Sequence, residues 1–233
     1  MAGACIRSIF AAWMRPDCSR LECADMNSTS KTVLVAAAVL ALLLAAVLAV
    51  RGIGNAPQAL QRATALPTPM PLPEFRLVDQ DGAAFTRDSL RQRQTLLFFG
   101  FTHCPDICPA TLQQLALARR ALADRQPAGA IPPDILLISV DPDRDTPDAL
   151  KAYTAIFGPG IFGATGARDA LLALTSPLGI FFETGEAGET GYAVNHSAAV
   201  LFINERAELQ AVFSAPHDVD SFVADLLVLT DLT

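Results

Sequence analysis

The stretch TLLFFGFTHCPDICP, from Thr95 to Pro109, decides the fold. Its first half, Thr95 to Phe101, is a short and continuously apolar run, which is typical of a strand buried on both faces of a sheet. A helix is predicted to follow from Pro109 to Ala123. Cys104 and Cys108 stand where the strand runs into this helix. The residues that set the fold and the residues with chemical reactivity therefore share one segment.

Working outward, the rest of the chain predicts alternating strands and helices. We expect an entry hairpin around 75–85, a buried strand over 134–140, helices from 146 onward and over 167–175, a hairpin formed by 198–203 and 209–213, and a closing helix over 218–229. Thr146, followed by Pro147 and Asp148, is expected to be the N-cap of the helix that starts there. This order predicts an α/β fold, a thioredoxin-like mixed sheet with helices on both faces, preceded by a single N-terminal transmembrane helix.

The chain of 233 residues is predicted to have four segments. An N-terminal segment covers 1–32, a transmembrane anchor 33–50, a Pro/Ala-rich linker 51–73 and a thioredoxin-like domain 74–233. Residues 1–25 are expected to come from an upstream start codon, because the sequence from Met26 to Lys31 resembles a short natural start.

The anchor is predicted from the 18 residues Val33 to Val50, which consist only of Val, Ala and Leu. At about 1.5 Å per residue they span roughly 27 Å, close to the hydrocarbon thickness of a bilayer. A cleaved signal peptide is the alternative, with Val47-Leu48-Ala49 as its cleavage site. Signal-peptide apolar regions are only about 7–15 residues long, so a retained anchor is favoured.

Charge separates the two ends of the chain. Residues 67–233 carry 11 Lys and Arg against 21 Asp and Glu, a net charge of −10. Such a domain is a poor match for nucleic acid, but it is compatible with a metal cation or a basic partner. Arg15, Arg20 and Lys31 before the apolar run, against Arg51 and Arg62 after it, predict a cytoplasmic amino terminus.

Cys104 and Cys108 are the two cysteines of the predicted domain. Residues four apart at the start of a helix bring their side chains close together. If the helix begins near Pro109, Cys108 lies at its positive end, which favours a thiolate that binds metal or attacks a disulfide. A structural disulfide is the alternative, but so small a loop constrains the unfolded chain little.

Other polar residues near these motifs are given non-ligand roles. His103 is expected to point away from Cys104, because neighbours on an extended strand face opposite sides. His217 is interpreted as a cap or surface residue, and Asp106 as a capping acid. The run of acids in the next loop lacks the glycine and distal glutamate of an EF-hand and is interpreted as a turn, a helix cap and a partner-contact surface. Its members are Asp141, Asp143 and Asp145.

Several motifs together resemble the Sco/SenC family. They are CPDICP from Cys104, DPDRDTP from Asp141, YAVNHS from Tyr192 and SAPHD from Ser214, in the order and spacing of that family. The resemblance implies a membrane-anchored thioredoxin fold that carries copper to the dinuclear copper site of cytochrome c oxidase subunit II, or to another cuproprotein. It also implies a location in the cytoplasmic membrane, single-pass, with the soluble domain on the periplasmic side. It implies Cys104, Cys108 and His196 as the metal ligands. The family usually has Asp where this chain has Asn195, so metal affinity or the basicity of His196 is expected to differ.

Two thiolates and one imidazole form a soft ligand set that suits Cu(I) and can also hold Cu(II), so one copper per monomer is predicted. Zinc accepts the same ligands but normally takes a fourth in structural sites. The predicted function is a copper metallochaperone without turnover of a small substrate. The alternative is a thiol–disulfide oxidoreductase that uses Cys104 and Cys108 as its redox pair and keeps the target cysteines reduced. Against it, residues 192–204 contain no proline where oxidoreductases of this fold carry a cis-proline.

Overall fold

A computed structural model describes residues 28–53, 59–127, 129–185, 192 and 194–231. The chain divides into two compact units, residues 1–57 and 58–233. The described part of the first unit is helix α1, Ser28–Ile53, which contains the apolar run. The side chains of this helix are described for residues 32–47. Among the described residues, no helix is long and apolar enough to cross a membrane. The transmembrane anchor stays a prediction, and the expectation for residues 1–25 lies outside the described residues.

The second unit is a mixed α/β domain. Its strands are β1 Ala63–Pro71, β2 Arg76–Asp79, β3 Ala84–Thr86, β4 Thr95–Gly100, β5 Asp134–Ser139, β6 Ile161–Thr165, β7 Phe182–Thr184, β8 Val194–His196, β9 Val200–Ile203 and β10 Glu208–Phe213. Its helices are α2 Ile107–Ala123, α3 Pro147–Ala155, α4 Arg168–Thr175 and α5 Val219–Asp231. Within the described ranges, eight strands form one sheet in the order β1-β10-β9-β4-β5-β6-β2-β3, and β7 pairs with β8 in a separate hairpin.

Strand β4 lies at the centre of the sheet. It pairs in parallel with β5 and antiparallel with β9. All six of its residues are buried, so the sheet is covered on both faces here, as its apolar sequence predicts. Helix α2 leaves the carboxyl end of β4 and packs against α5. The predicted mixed sheet with helices is confirmed. The two cysteines lie beyond the carboxyl end of β4, where the chain turns from this central strand into α2.

The predicted linker is wrong for residues 63–71. These residues form β1, which pairs antiparallel with β10 at the edge of the sheet, with an irregular register between Ala65 and Met70. Prolines cannot donate to a sheet ladder and are confined to edge strands and bulges. An edge strand with a bulge tolerates Pro67, Pro69 and Pro71, so a proline-rich stretch that reads as a linker is folded here by long-range pairing.

Other boundaries differ less. Helix α2 begins at Ile107, two residues before the predicted start, which places Cys108 inside its first turn. Helix α3 begins at Pro147 with Thr146 as its N-cap, as predicted, and the Thr146 hydroxyl accepts a hydrogen bond from the Ala149 amide. The strands β6, β7 and β8 were not predicted.

A buried carboxylate ties the start of β1 to α5. Asp225 is 1% exposed, and its oxygens accept hydrogen bonds from the backbone amides of Gln61, Arg62 and Ala63 at 2.6, 2.9 and 2.7 Å. Hydrogen bonds to a charged acceptor are among the stronger ones. Three of them attach the residues at the start of β1 to α5 and so support the pairing of β1 at the sheet edge.

We predict that Asp225→Asn lowers the free energy of unfolding by about 2–3 kcal/mol, because an amide offers one acceptor oxygen and places two N–H groups against backbone donors. Asp220→Asn, an exposed position in the first turn of the same helix, is the control and should cost less than about 1 kcal/mol. Urea unfolding followed by circular dichroism measures both, and equal effects of the two substitutions would contradict the role of Asp225.

Candidate metal centre

The three predicted ligands converge, although they come from two separate parts of the domain. Cys104 lies in the turn after β4, Cys108 in the first turn of α2, and His196 at the end of β8. Their ligand atoms all lie within 4.8 Å of one another. The Cys108 Sγ and His196 Nε2 atoms are 3.4 Å apart, and the Cys108 amide lies 3.5 Å from the Cys104 Sγ. Both cysteines are free thiols.

Cys108 is held at the bottom of the site. Its side chain is fully buried. It lies against the backbone of β4, because a Cβ on Gly100 would come within 2.9 Å of the Cys108 Sγ. A glycine at that position therefore makes room for the sulfur.

Burial changes the expected ionisation of Cys108. Loss of solvation raises the pKa of the Cys108 thiol far above its usual range, and this outweighs the opposing effect of a hydrogen bond from the Phe101 backbone. The prediction of a thiolate at the helix start is therefore wrong for the metal-free protein. Metal binding at Cys108 has to displace a proton.

His196 has the opposite preference. Burial lowers its pKa, so the ring is neutral at neutral pH. Its Nδ1 lies 3.0 Å from the Ser197 carbonyl oxygen, and a neutral ring satisfies that acceptor by carrying its hydrogen on Nδ1. The Nε2 lone pair is then free and faces Cys108. A second hydrogen bond that fixes the tautomer in this way is typical of metal-binding histidines.

Aromatic rings form the wall behind His196. The rings of Phe98 and Phe101 meet the imidazole edge-to-face with centroid distances of 6.0 and 5.9 Å. The hairpin end is closed by Phe181 and Ser197, which exchange an N–H···O bond of 3.0 Å between backbones and one of 3.1 Å to the serine hydroxyl. These contacts orient the ring toward the cysteines.

The ligand separations fit a three-coordinate soft metal. Bonds of about 2.0–2.3 Å to nitrogen and sulfur in a trigonal arrangement separate the ligand atoms by about 3.5–4 Å. The observed 3.4 Å between Cys108 and His196, and the upper limit of 4.8 Å for the set, bracket that range. Two sulfurs and an imidazole nitrogen match the donor preference of copper.

Asp145 organises the turn before Cys104. The carboxylate is fully buried and accepts hydrogen bonds from the Thr102 amide at 2.8 Å, the Thr102 hydroxyl at 2.6 Å and the Ser139 hydroxyl at 2.6 Å. Sequence reasoning placed this acid in a surface turn, whereas it is an internal acceptor. One signal in the sequence could have indicated this role. The acidic loop follows the predicted strand 134–140, and the carboxyl end of that strand lies beside the cysteine loop because β4 and β5 are parallel neighbours.

The remaining candidates lie outside the ligand set. His103 is exposed, with its Nδ1 3.0 Å from the Thr102 hydroxyl, as expected of a non-ligand. Asp106 occupies the N-cap position of α2 but makes no side-chain capping bond, so that prediction is wrong. His217 is not a cap: its Nε2 lies 2.7 Å from the Ala198 carbonyl oxygen, and its ring stacks on Phe222 at 5.2 Å. Asn195 is exposed on the strand face opposite His196.

The acids of the loop after β5 have divided roles. Asp143 is exposed, whereas Asp141 is 2% exposed and accepts hydrogen bonds from the Arg144 guanidinium and the Tyr192 hydroxyl. None of these three carboxylates caps α3, so the capping role of the acids is wrong, whereas the predicted cap Thr146 is confirmed.

Comparison with known proteins points to one family. The family model described as SCO1/SenC matches residues 65–231. The mitochondrial protein SCO2 of Saccharomyces cerevisiae is 35% identical over 149 residues, which cover 63% of this chain and 48% of the relative. The chain thus spans about half the length of that relative.

Two solved structures have the same fold with copper bound. The Arabidopsis thaliana ScoI structure is 29% identical with a TM-score of 0.64, and the match covers 69% of this chain and 98% of that one. Yeast Sco1 is also 29% identical with a TM-score of 0.64, and the match covers 71% of this chain and 91% of that one. The thioredoxin-like Sco architecture predicted from the motifs is confirmed.

We predict that His196 makes the stability of the metal-free protein fall with acidification. Folding lowers its pKa from the usual 6.5, so the unfolded chain takes up a proton more readily than the folded one. The stabilisation is fully present above about pH 6.5 and is lost as the pH falls through the lower folded-state pKa. Urea unfolding between about pH 7.5 and 5 should show a steeper loss in the wild type than in His196→Gln. Parallel curves would mean that His196 is not held neutral by burial.

Proposed function

The chain belongs to the SCO1/SenC family, and from this premise we propose that it is a copper metallochaperone that delivers copper to the dinuclear copper site of cytochrome c oxidase subunit II. The observation that carries the proposal is the convergence of Cys104, Cys108 and His196 within 4.8 Å. Copper is the cargo and is not consumed. The copper-bound structures of two similar proteins support the choice of metal.

The site is suited to a metal that must leave again. Cys108 is buried, whereas Cys104 and His196 are half-buried at the rim. A three-ligand set leaves one side of the metal open, so a ligand of the recipient can bind before a ligand of this chain lets go. Exchange is therefore expected to begin at Cys104 or His196, which an incoming ligand can reach from solvent.

The proposed location is the cytoplasmic membrane, with the domain on the periplasmic side. The apolar run Val33 to Val50 supports the anchor. The orientation rests mainly on the family, with a slight excess of Arg and Lys before the run in the same direction. A tether of this kind keeps a copper donor at the membrane surface, where a membrane-bound oxidase exposes its copper site.

A thiol–disulfide oxidoreductase is the second candidate. The observation in its favour is that Cys104 and Cys108 are free thiols close enough to join with a small movement. Cys104 is the more accessible sulfur and would attack the target disulfide. The raised pKa of the buried Cys108 opposes resolution of the mixed disulfide and metal binding alike, whereas the position of His196 beside the two sulfurs is needed only by the metallochaperone.

We predict that the reduced protein binds one Cu(I) per chain. The test uses the full chain with Cys5, Cys18 and Cys23 replaced by serine, so that Cys104 and Cys108 are the only thiols. Cys104→Ser and Cys108→Ser should abolish stoichiometric binding, and His196→Ala should weaken it about tenfold or more, because each removes a ligand. Metal analysis and competition with a Cu(I) chelator measure both quantities.

His217→Ala is the matched control, because its ring lies outside the ligand set and its loss should leave copper binding unchanged. Failure of the reduced protein to retain copper, together with rapid exchange of Cys104 and Cys108 with a disulfide substrate, would contradict the metallochaperone and select the oxidoreductase.

A further inference from the structure

His196 is not carried by the sheet that carries the cysteines. Its strand, β8, pairs with β7 in a separate two-stranded hairpin, in which Phe182 lies opposite His196. No backbone ladder among the described residues joins this hairpin to β4 or β5. Residues 197–199 connect His196 to β9, which pairs with β4, so the distance from His196 to the two sulfurs depends on this short link and on the side-chain contacts between the hairpin and the main sheet.

One such bridge involves Tyr192, two residues before β8. The Tyr192 hydroxyl donates a hydrogen bond of 2.6 Å to Asp141, which follows β5 and is 2% exposed. The Asp141 amide in turn donates to the Ser139 hydroxyl at 3.1 Å, which fixes the acid to the end of the strand. A tyrosine near the histidine hairpin is thus bonded to the main sheet.

Arg144 closes the bridge. Its Nε donates to the second carboxylate oxygen of Asp141, and its guanidinium carbon lies 3.9 Å from the centre of the Tyr192 ring. Stacking of a guanidinium on an aromatic ring adds attraction to the ion pair. Asp141, Arg144 and Tyr192 therefore hold one another in a closed set of three contacts, which we name the latch.

The latch reaches the metal ligand through one aromatic ring. The Arg144 guanidinium carbon also lies 5.7 Å from the centre of the Phe101 ring, and Phe101 meets the His196 ring edge-to-face at 5.9 Å. Phe101 follows β4 directly and is 4% exposed. Arg144 thus contacts both Tyr192, which precedes β8, and Phe101, against which the His196 ring packs.

We propose that the latch of Asp141, Arg144 and Tyr192 positions His196 as the third ligand and thereby sets how long copper is retained. This inference rests on the proposed copper function and adds its control. With the latch closed, copper is held by Cys104, Cys108 and His196. With the latch open, the hairpin is released, His196 withdraws and copper stays on the two sulfurs, where an incoming ligand displaces it faster. In that step only the bond between copper and His196 breaks, the two bonds to sulfur remain, and the oxidation state of copper does not change.

Tyr192→Phe tests the latch, since it removes one hydroxyl and keeps the ring. The full chain with Cys5, Cys18 and Cys23 replaced by serine is loaded with one Cu(I), and removal of copper by a Cu(I) chelator is timed. Direct outer partners of metal-binding histidines are worth about 10–100-fold in metal affinity, and the Tyr192 hydroxyl acts on His196 only through the latch, so release should be faster by the lower end of that range, about tenfold. Arg144→Lys keeps the charge but loses the flat stacking group, and it should also release copper faster than the wild type.

Arg206→Lys is the matched control for Arg144→Lys. Arg206 is exposed, and its guanidinium bonds Glu208, outside both the latch and the ligand set. Its release rate should match that of the wild type. In the Cu(II) form, electron paramagnetic resonance should show weaker nitrogen coupling in Tyr192→Phe and Arg144→Lys, a signature that a general loss of stability would not produce.

The outcomes separate the latch from the function on which it rests. If the wild type binds no copper, the proposed function fails. If the wild type binds copper and both latch variants release it within twofold of the wild-type rate, with unchanged nitrogen coupling, the latch is wrong and the function stands. If Tyr192→Phe loses its circular dichroism spectrum, Arg144→Lys decides the result by the same two readouts.

Discussion

The close contact between Cys108 and Gly100 is the constraint on which the metal centre depends. A side chain at position 100 would come within 2.9 Å of the Cys108 sulfur and 3.0 Å of Phe98. Without one, the first turn of α2 lies directly over the end of β4, and the sulfur is sealed from solvent. The other two ligands lie around the Cys108 residue: the Cys104 Sγ is 3.5 Å from the Cys108 amide, and the His196 Nε2 is 3.4 Å from the Cys108 Sγ.

The two halves of the site are held in place by different contacts. The cysteine half belongs to the main sheet and is held by the buried Asp145, which bonds both the amide and the hydroxyl of Thr102. The histidine half belongs to a short hairpin held by aromatic and polar contacts. Burial lowers the pKa of His196 and raises that of Cys108. The imidazole is therefore a neutral donor before metal binds, whereas the Cys108 sulfur loses its proton only when metal binds. This division suits a protein that binds a metal and then gives it up.

Local features of the site were predictable from the sequence, and long-range ones were not. The cysteine pair, the strand before it and the cap at Thr146 depend on neighbouring residues, and the structure has them as predicted. Strand β1 depends on pairing with β10, more than 130 residues away, which its prolines conceal. The thiolate at Cys108 was wrong because a helix start was considered without its burial. Asp141 and Asp145 read as surface acids because nothing in their spacing reveals that Tyr192 and Thr102 are their partners.

The central claim is that one copper ion bonds two sulfurs and one imidazole from two parts of the fold. X-ray absorption at the copper edge of the Cu(I)-loaded chain, with Cys5, Cys18 and Cys23 replaced by serine, tests it most directly because it counts the bonded atoms by type. The account predicts two sulfur scatterers and one nitrogen with the pattern of an imidazole ring, and loss of that nitrogen in His196→Ala. A first shell without sulfur, or one that His196→Ala leaves unchanged, would contradict it.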